Sequence, residues 1–292
     1  MGKARHSTGS RTASKITRRP FDFAFSKVSG TGNDFILIDW REEENWQPDW
    51  PEVARATCDP VDGIGADGLI VLHQSWRDTE MGFFNADGST PAVCGNALRT
   101  VAHRLHCGVK GSGAYRIQAR DGWHQAQVNG RQIAVTMLYE KKKPRVCRAE
   151  CPTGALEGYF TQVGVPHFVT RVDLLASSDW DALAGALRSA PVFPEGANIN
   201  LWSPGPKGSF RMRTFERGVI PGETRACGSG AVAVARVLQT HYNTGLPVRL
   251  RALGGTLHVH PGEKPGNLML QGTVREVFRG VFPMRISITQ SV

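Results

Sequence analysis

Cys94-Gly-Asn-Ala-Leu-Arg-Thr-Val-Ala-His-Arg-Leu105 and Cys227-Gly-Ser-Gly-Ala-Val-Ala-Val-Ala-Arg-Val-Leu238 are two versions of one segment, matching at Cys, Gly, Val, Ala and the final Leu. An internal repeat fixes the architecture before any single element is assigned. The two cysteines are 133 residues apart, and upstream landmarks keep the offset to within one residue: Asn33 lies 61 residues before Cys94, and His167 lies 60 before Cys227. The chain therefore reads as two similar halves.

Working outward from each Cys-Gly, the residues before it are β-rich. Phe35 to Ile38, Leu69 to Leu72, Phe168 to Thr170 and Phe210 to Phe215 read as short strands. After each Cys-Gly the pattern turns helical and runs to about Leu105 and Leu238, so each cysteine is expected at a helix N-terminus. The second helix is apolar on almost every side, which places it inside its own sheet rather than on the surface. Further strands are expected at 133–137, 257–260, 267–271 and 281–288, and Lys141-Lys-Lys-Pro144 reads as a link between the halves. The fold class is α+β in two similar domains.

Composition agrees with such a chain. Its 292 residues, 40% of them hydrophobic and 21% charged, are enough for about two domains, and the longest apolar runs are far too short to span a bilayer, so no membrane partner is expected. The net charge of +9 sits largely in the first twenty residues, where Lys3, Arg5, Arg11, Lys15, Arg18 and Arg19 occur without any acidic residue; removing those six leaves +3. Residues 1–20 read as a basic, disordered leader. An organellar transit peptide stays open, and nucleic acid is not the expected partner. The six cysteines do not form a disulfide framework. Cys147 and Cys151 lack a second pair or a nearby His, so no metal site is assigned there, and Cys58 and Cys107 are expected to fill space.

A thiol at a helix N-terminus feels the positive end of the dipole and can accept from free backbone N–H groups, so both thiols are expected to have lowered pKa values. The glycine after each cysteine leaves those amides open to a carboxylate. One such element suggests a nucleophile. Two suggest a pair of acid/base groups on opposite sides of one small carboxylate-bearing molecule.

These residues, in order with Gly30-Thr-Gly-Asn-Asp-Phe35, Gly63-Ile-Gly-Ala-Asp-Gly68, Phe84-Asn-Ala-Asp-Gly-Ser89, Pro166-His167, Gly196-Ala-Asn-Ile-Asn200, Glu216-Arg-Gly218 and Glu223-Thr-Arg-Ala-Cys-Gly-Ser-Gly230, make the chain resemble the diaminopimelate epimerase family from about Phe23 onward. The resemblance implies two pseudo-symmetric domains, each a sheet wrapped around a central helix, with the active site in the cleft between them. It places residues 21–140 in one domain and 144–275 in the other, with a last strand at about 276–290 returning to the first. It implies a cofactor-independent epimerisation of L,L-diaminopimelate to the meso isomer, with no metal, in a cytoplasmic enzyme, and it leaves a homodimer open.

By the same resemblance Cys94 and Cys227 are the two bases, assisted by His167 and Glu216. Asn33, Asn85, Asn198 and Arg217 bind substrate, and the amides of Gly95, Asn96, Gly228 and Ser229 hold its α-carboxylate. Asp34, Asp67 and Asp87 are assigned to loop architecture. The chain departs from the family pattern at Val165, where Gly-Asn-Pro-His is usual, at Gly68 and Ala97, and in a longer 216–224 segment carrying Pro221. A racemase of the same mechanism acting on another amino acid, and a Cys-His hydrolase needing only one of the cysteines, are the alternatives.

Overall fold

A computed structural model describes residues 15–40, 46–74, 79–151, 154–173, 180–217 and 222–290. The first half begins with a hairpin of β1 (Lys15–Gly30) and β2 (Asn33–Trp40), followed by the short β3 (Trp46–Pro48) and helix α1 (Trp50–Cys58). Then come β4 (Gly68–Gln74) parallel to β2, β5 (Thr79–Asn85) antiparallel to β4, helix α2 (Gly95–Leu105), and the meander β6 (Ser112–Ala119), β7 (Gly122–Asn129) and β8 (Gln132–Met137).

The second half repeats this order. A short β9 (Arg145–Cys151) leads into the hairpin of β10 (Gly154–Val163) and β11 (Val165–Arg171), helix α3 (Trp180–Arg188) and β12 (Asn198–Pro204) parallel to β11. β13 (Phe210–Phe215), the two-residue β14 (Glu223–Thr224), helix α4 (Gly228–His241), β15 (Val248–Ala252), β16 (Gly255–Pro261) and β17 (Leu268–Gln290) complete it. The duplication expected from the Cys-Gly segments is thus matched in the hairpin, the parallel pair, both helices and the closing meander of each half, while among the described residues β3, β9 and β14 have no counterpart.

The parallel pairs explain two uninterrupted apolar runs. Phe35 to Ile38 on β2 and Leu69 to Leu72 on β4 are buried on both faces: Phe35, Leu37, Ile70 and Leu72 face α2, while Ile36, Ile38, Leu69 and Val71 face α1. A strand covered on both sides has no reason to alternate with polar residues. The second half repeats the outer layer, where Phe168, Ile199, Leu201 and Phe215 pack with Ala184 and Leu187 of α3. Helix α4 is enclosed as its composition requires, with every residue from Gly230 to Leu238 buried.

Strand exchange ties the halves together. β17 pairs through Leu268–Gln271 with β16 and at the same residues with β8 of the first half, then runs on against β1 as far as Lys15. The segments expected separately at 267–271 and 281–288 are therefore one continuous strand, with a register shift at Lys27/Val28. The pairing also corrects the leader, because residues 15–20 belong to β1. The long edge of β17 supplies their hydrogen-bond partners, and Arg18 reaches Glu52 at 3.0 Å. Residues 1–14 lie outside the described residues. Among the described residues no helix is long and apolar enough to cross a membrane. Cys58 is buried as expected, whereas Cys107 is exposed just beyond α2 and fills no space.

Candidate active site

Both cysteines are N-caps. Cys94 and Cys227 hold extended backbone conformations (φ −130° and −111°), and their carbonyls accept the first helical bonds, from Leu98 N and Ala231 N, each at 3.0 Å. The first N–H groups of each helix have no intrahelical partner by construction.

The two helix starts meet. A Cβ on Gly228 would lie 3.5 Å from Gly95 Cα and 2.6 Å from Leu270 Cδ2, and one on Gly95 would lie 2.9 Å from the same Leu270 atom. Glycine at both positions lets the two helix starts pack closely on Leu270, which sits where β17 crosses from one half to the other. A cavity of about 1040 Å³ opens at this junction.

The cavity wall brings together Asn33, Asn85, Cys94, Gly95, Asn96, Asn198, Glu216, Arg217, Cys227, Gly228 and Ser229. His167, the remaining expected site residue, is not on the wall. It is fully buried on β11, with Nδ1 3.1 Å from Asn200 Nδ2. Thr214 Oγ1 donates to Asn200 Oδ1 at 3.1 Å, which orients the amide so that Nδ2 donates to His167. Burial pushes the His167 pKa down to about 3, so the imidazole is neutral with its proton on Nε2.

The thiols differ from the expectation. Burial outweighs the helix termini and pushes Cys94 up to about 11, although backbone N–H groups of Ala97 and Asn96 favour its anion. Cys227 is pushed well above its ordinary value, first by burial and then by the Glu216 charge. Its Sγ accepts from Gly230 N at 3.3 Å and lies 3.3 Å from Ser229 Oγ. Glu216 is itself raised by burial, despite hydrogen bonds from Cys227 and Thr224. Dipole arguments made from sequence omit this desolvation, which depends on what the rest of the chain lays over the helix start.

The remaining wall residues are fixed by short networks. Asn96 Nδ2 donates to Asn33 Oδ1 at 2.9 Å and to Ala226 O at 3.0 Å. Asn33 Nδ2 donates to Asp67 at 3.0 Å and to Thr224 Oγ1 of the second half at 3.3 Å. Asp67 also accepts from Asp34 N at 3.0 Å, and Asp87 accepts from Ser89 N at 2.8 Å, as loop-forming carboxylates do. Asn85 holds its own turn through Ser89 Oγ at 2.9 Å. Asn198 Oδ1 accepts from Arg217 N at 2.9 Å, and Arg217 donates through its guanidinium to Glu195 O at 2.6 Å.

Val165 reaches the wall, as do Arg120 and Arg225, which sequence reasoning did not single out. The Phe83 ring occupies the space beside Gly68, 2.8 Å from where a Cβ would stand, which accounts for glycine there. Asn200 was also missed; its spacing of two from Asn198 on one strand was the available signal. Pro221 lies outside the described residues.

Comparison with known proteins bears on the family and the fold. The sequence model described as Diaminopimelate epimerase matches residues 25–149 and 159–275. The chain is 33% identical over 265 residues to the diaminopimelate epimerase of Gemmatimonas aurantiaca, covering 88% of this chain and 95% of that one. It is 35% identical over 264 residues to that of Chlorobaculum tepidum, covering 88% and 100%. Among solved structures, a hydroxyproline epimerase from Agrobacterium vitis superposes with a TM-score of 0.70 at 14% identity, over 90% of this chain and 93% of that one. A PhzF-family protein from Enterococcus faecalis gives 0.66 at 13%, over 90% and 99%. These two share the fold. With a duplicated sheet-and-helix architecture, two facing N-cap cysteines and this extent of sequence identity, the chain belongs to the diaminopimelate epimerase family of isomerases.

Proposed function

We propose that the protein interconverts L,L- and meso-diaminopimelate by proton exchange at the α-carbon between Cys94 and Cys227. The observation that carries this reading is the meeting of two cysteine-capped helix starts at one cavity, through Gly95, Gly228 and Leu270. The α-carboxylate docks on the first-turn amides of both helices, Gly95 and Asn96 on one side and Gly228 and Ser229 on the other, where the positive dipole ends also stabilise charge developing on the carbanion.

The α C–H bond breaks as one cysteine, as thiolate, takes the proton. The opposite thiol then gives its proton to the other face of the carbon, so the configuration inverts and the two sulfurs exchange protonation states. Glu216, hydrogen-bonded to Cys227, holds that thiol in place, and neutral His167 supports the site from behind its wall through Asn200. Arg217 faces the distal carboxylate, where a planar guanidinium suits bidentate pairing. We assign 21–140 with the returning strand 276–290 to one domain and 144–275 to the other; the β17 exchange supports that division.

The test is proton NMR in D2O under reducing conditions with L,L-diaminopimelate beside a panel of ordinary L-amino acids. Deuterium at the α-carbon together with the meso isomer is expected. Exchange only with another amino acid would move the substrate and keep the two-thiol chemistry; exchange with none would remove both. In Cys94→Ala and Cys227→Ala, inversion should be lost in each, whereas a hydrolase would need only one.

A further inference from the structure

The duplicated segment breaks its symmetry at one buried position. Five residues after Cys94 stands Arg99, and five after Cys227 stands Val232. Both side chains are fully buried. Arg99 donates to Asn96 Oδ1 at 2.8 Å, to Thr31 Oγ1 at 3.0 Å and to Gly95 O at 3.4 Å, and among the described residues its Nε has no hydrogen-bond partner. A Cβ on Gly272 of β17 would lie 3.1 Å from its Cζ and 2.7 Å from Thr31 Oγ1, so glycine there makes the room that the guanidinium fills.

Among the described residues no carboxylate pairs with Arg99. A buried cation without a counter-ion is costly, and the fold keeps one beside the two residues that follow Cys94. On the other side the arrangement is inverted. Cys227 has apolar Val232 in the equivalent place and is hydrogen-bonded to Glu216, an acid. Glu216 also acts on Cys94 through its charge, with Asp67 beyond it; β8 and β17 face the helix starts with uncharged Met137 and Leu270.

We propose that Arg99 is a positioning residue that makes Cys94, rather than Cys227, the thiol that loses its proton first as pH rises, so that the ionised, unliganded enzyme carries its negative charge on Cys94 while Cys227 keeps its proton. The proton leaves Cys94 Sγ for solvent through the open cavity, and the guanidinium, separated from the sulfur by the first turn of α2, balances the charge left behind. The proposal rests on the two-thiol reading. It assigns the singly ionised enzyme to the stereoisomer whose α-hydrogen faces Cys94.

The experiment is iodoacetamide alkylation of the full-length reduced protein without substrate, followed at each cysteine by peptide mass spectrometry from pH 7 to 11. In Arg99→Gln the Cys94 rate at pH 8 should fall about tenfold or more, one pKa unit or greater, with the Cys227 rate unchanged. Arg99→Lys should keep the wild-type profile. An unmoved Cys94 profile in Arg99→Gln, or an equal change at both cysteines, would overturn the proposal. Should Arg99→Gln not fold by circular dichroism, the wild type decides: the Cys94 rate must rise at lower pH than the Cys227 rate between pH 7 and 11, and coincidence or the reverse order overturns it. Turnover of diaminopimelate is assayed separately on the wild type, so failure of the substrate reading leaves the ordering of the thiols intact and measurable.

Discussion

Acid should destabilise this fold through His167, by an amount the structure sets. The ring is fully buried and its pKa is held at about 3, against 6.5 for a free imidazole. A depressed folded pKa contributes stability that is present above the unfolded value and lost as pH falls through the folded one, because the unfolded chain takes up a proton that the folded chain refuses. The window therefore runs from about pH 6.5 down to 3. At pH 4.5 the unfolded state is almost fully protonated at this site and the folded state is not, which corresponds to roughly 3 kcal/mol at about 1.4 kcal/mol per pKa unit.

The perturbation is His167→Gln, whose amide oxygen can take the Asn200 donor without titrating. Urea unfolding at pH 7.0 and 4.5 of wild type and variant gives a double difference in which other groups, such as His103 and His258, cancel. The variant should lose about 3 kcal/mol less than wild type on acidification. Equal losses in the two proteins would refute a neutral, buried His167.

Other outcomes follow from named contacts. Because burial raises both thiols and catalysis needs one of them ionised, kcat/KM should climb about tenfold per pH unit from pH 7 toward 9; a plateau already at pH 7 would contradict the raised Cys94. Gly32→Ala places a Cβ 2.4 Å from Gly254 Cα at a φ of +91°, so thermal melting should show a loss of about 2–5 kcal/mol from backbone strain and overpacking combined. Val165→Asn returns an amide to the cavity wall and should lower KM for diaminopimelate about tenfold with kcat little changed, the worth of one hydrogen bond to a charged group. An unchanged KM would show that this wall position does not touch the substrate.

Much of the architecture was legible because the signals are local. Apolar runs at 35–38 and 69–72, a Cys-Gly followed by small apolar residues, and the recurrence of that unit after 133 residues each report on a few neighbours in the chain. The strands at 168–170 and 210–215 and both central helices stand where those patterns put them. What was not legible involved partners distant in sequence. β1 begins inside the basic leader because an edge supplied by residues 274–290 is there to pair with it, and nothing in residues 15–20 announces that edge.

The sequence by itself determined the duplication, the two helix starts, the cysteines at their caps and the family to which they belong, since backbone propensity, capping and side-chain spacing act over a single turn or strand. Tertiary structure alone decided that the thiols are raised rather than lowered, that His167 sits behind the cavity wall and not on it, and that one helix start has a buried cation near it while the other has a carboxylic acid. The physical reason is common to all three. Desolvation and unscreened charge depend on the atoms that the whole fold packs around a group, and those atoms come from β1, β17 and the opposite half of the chain.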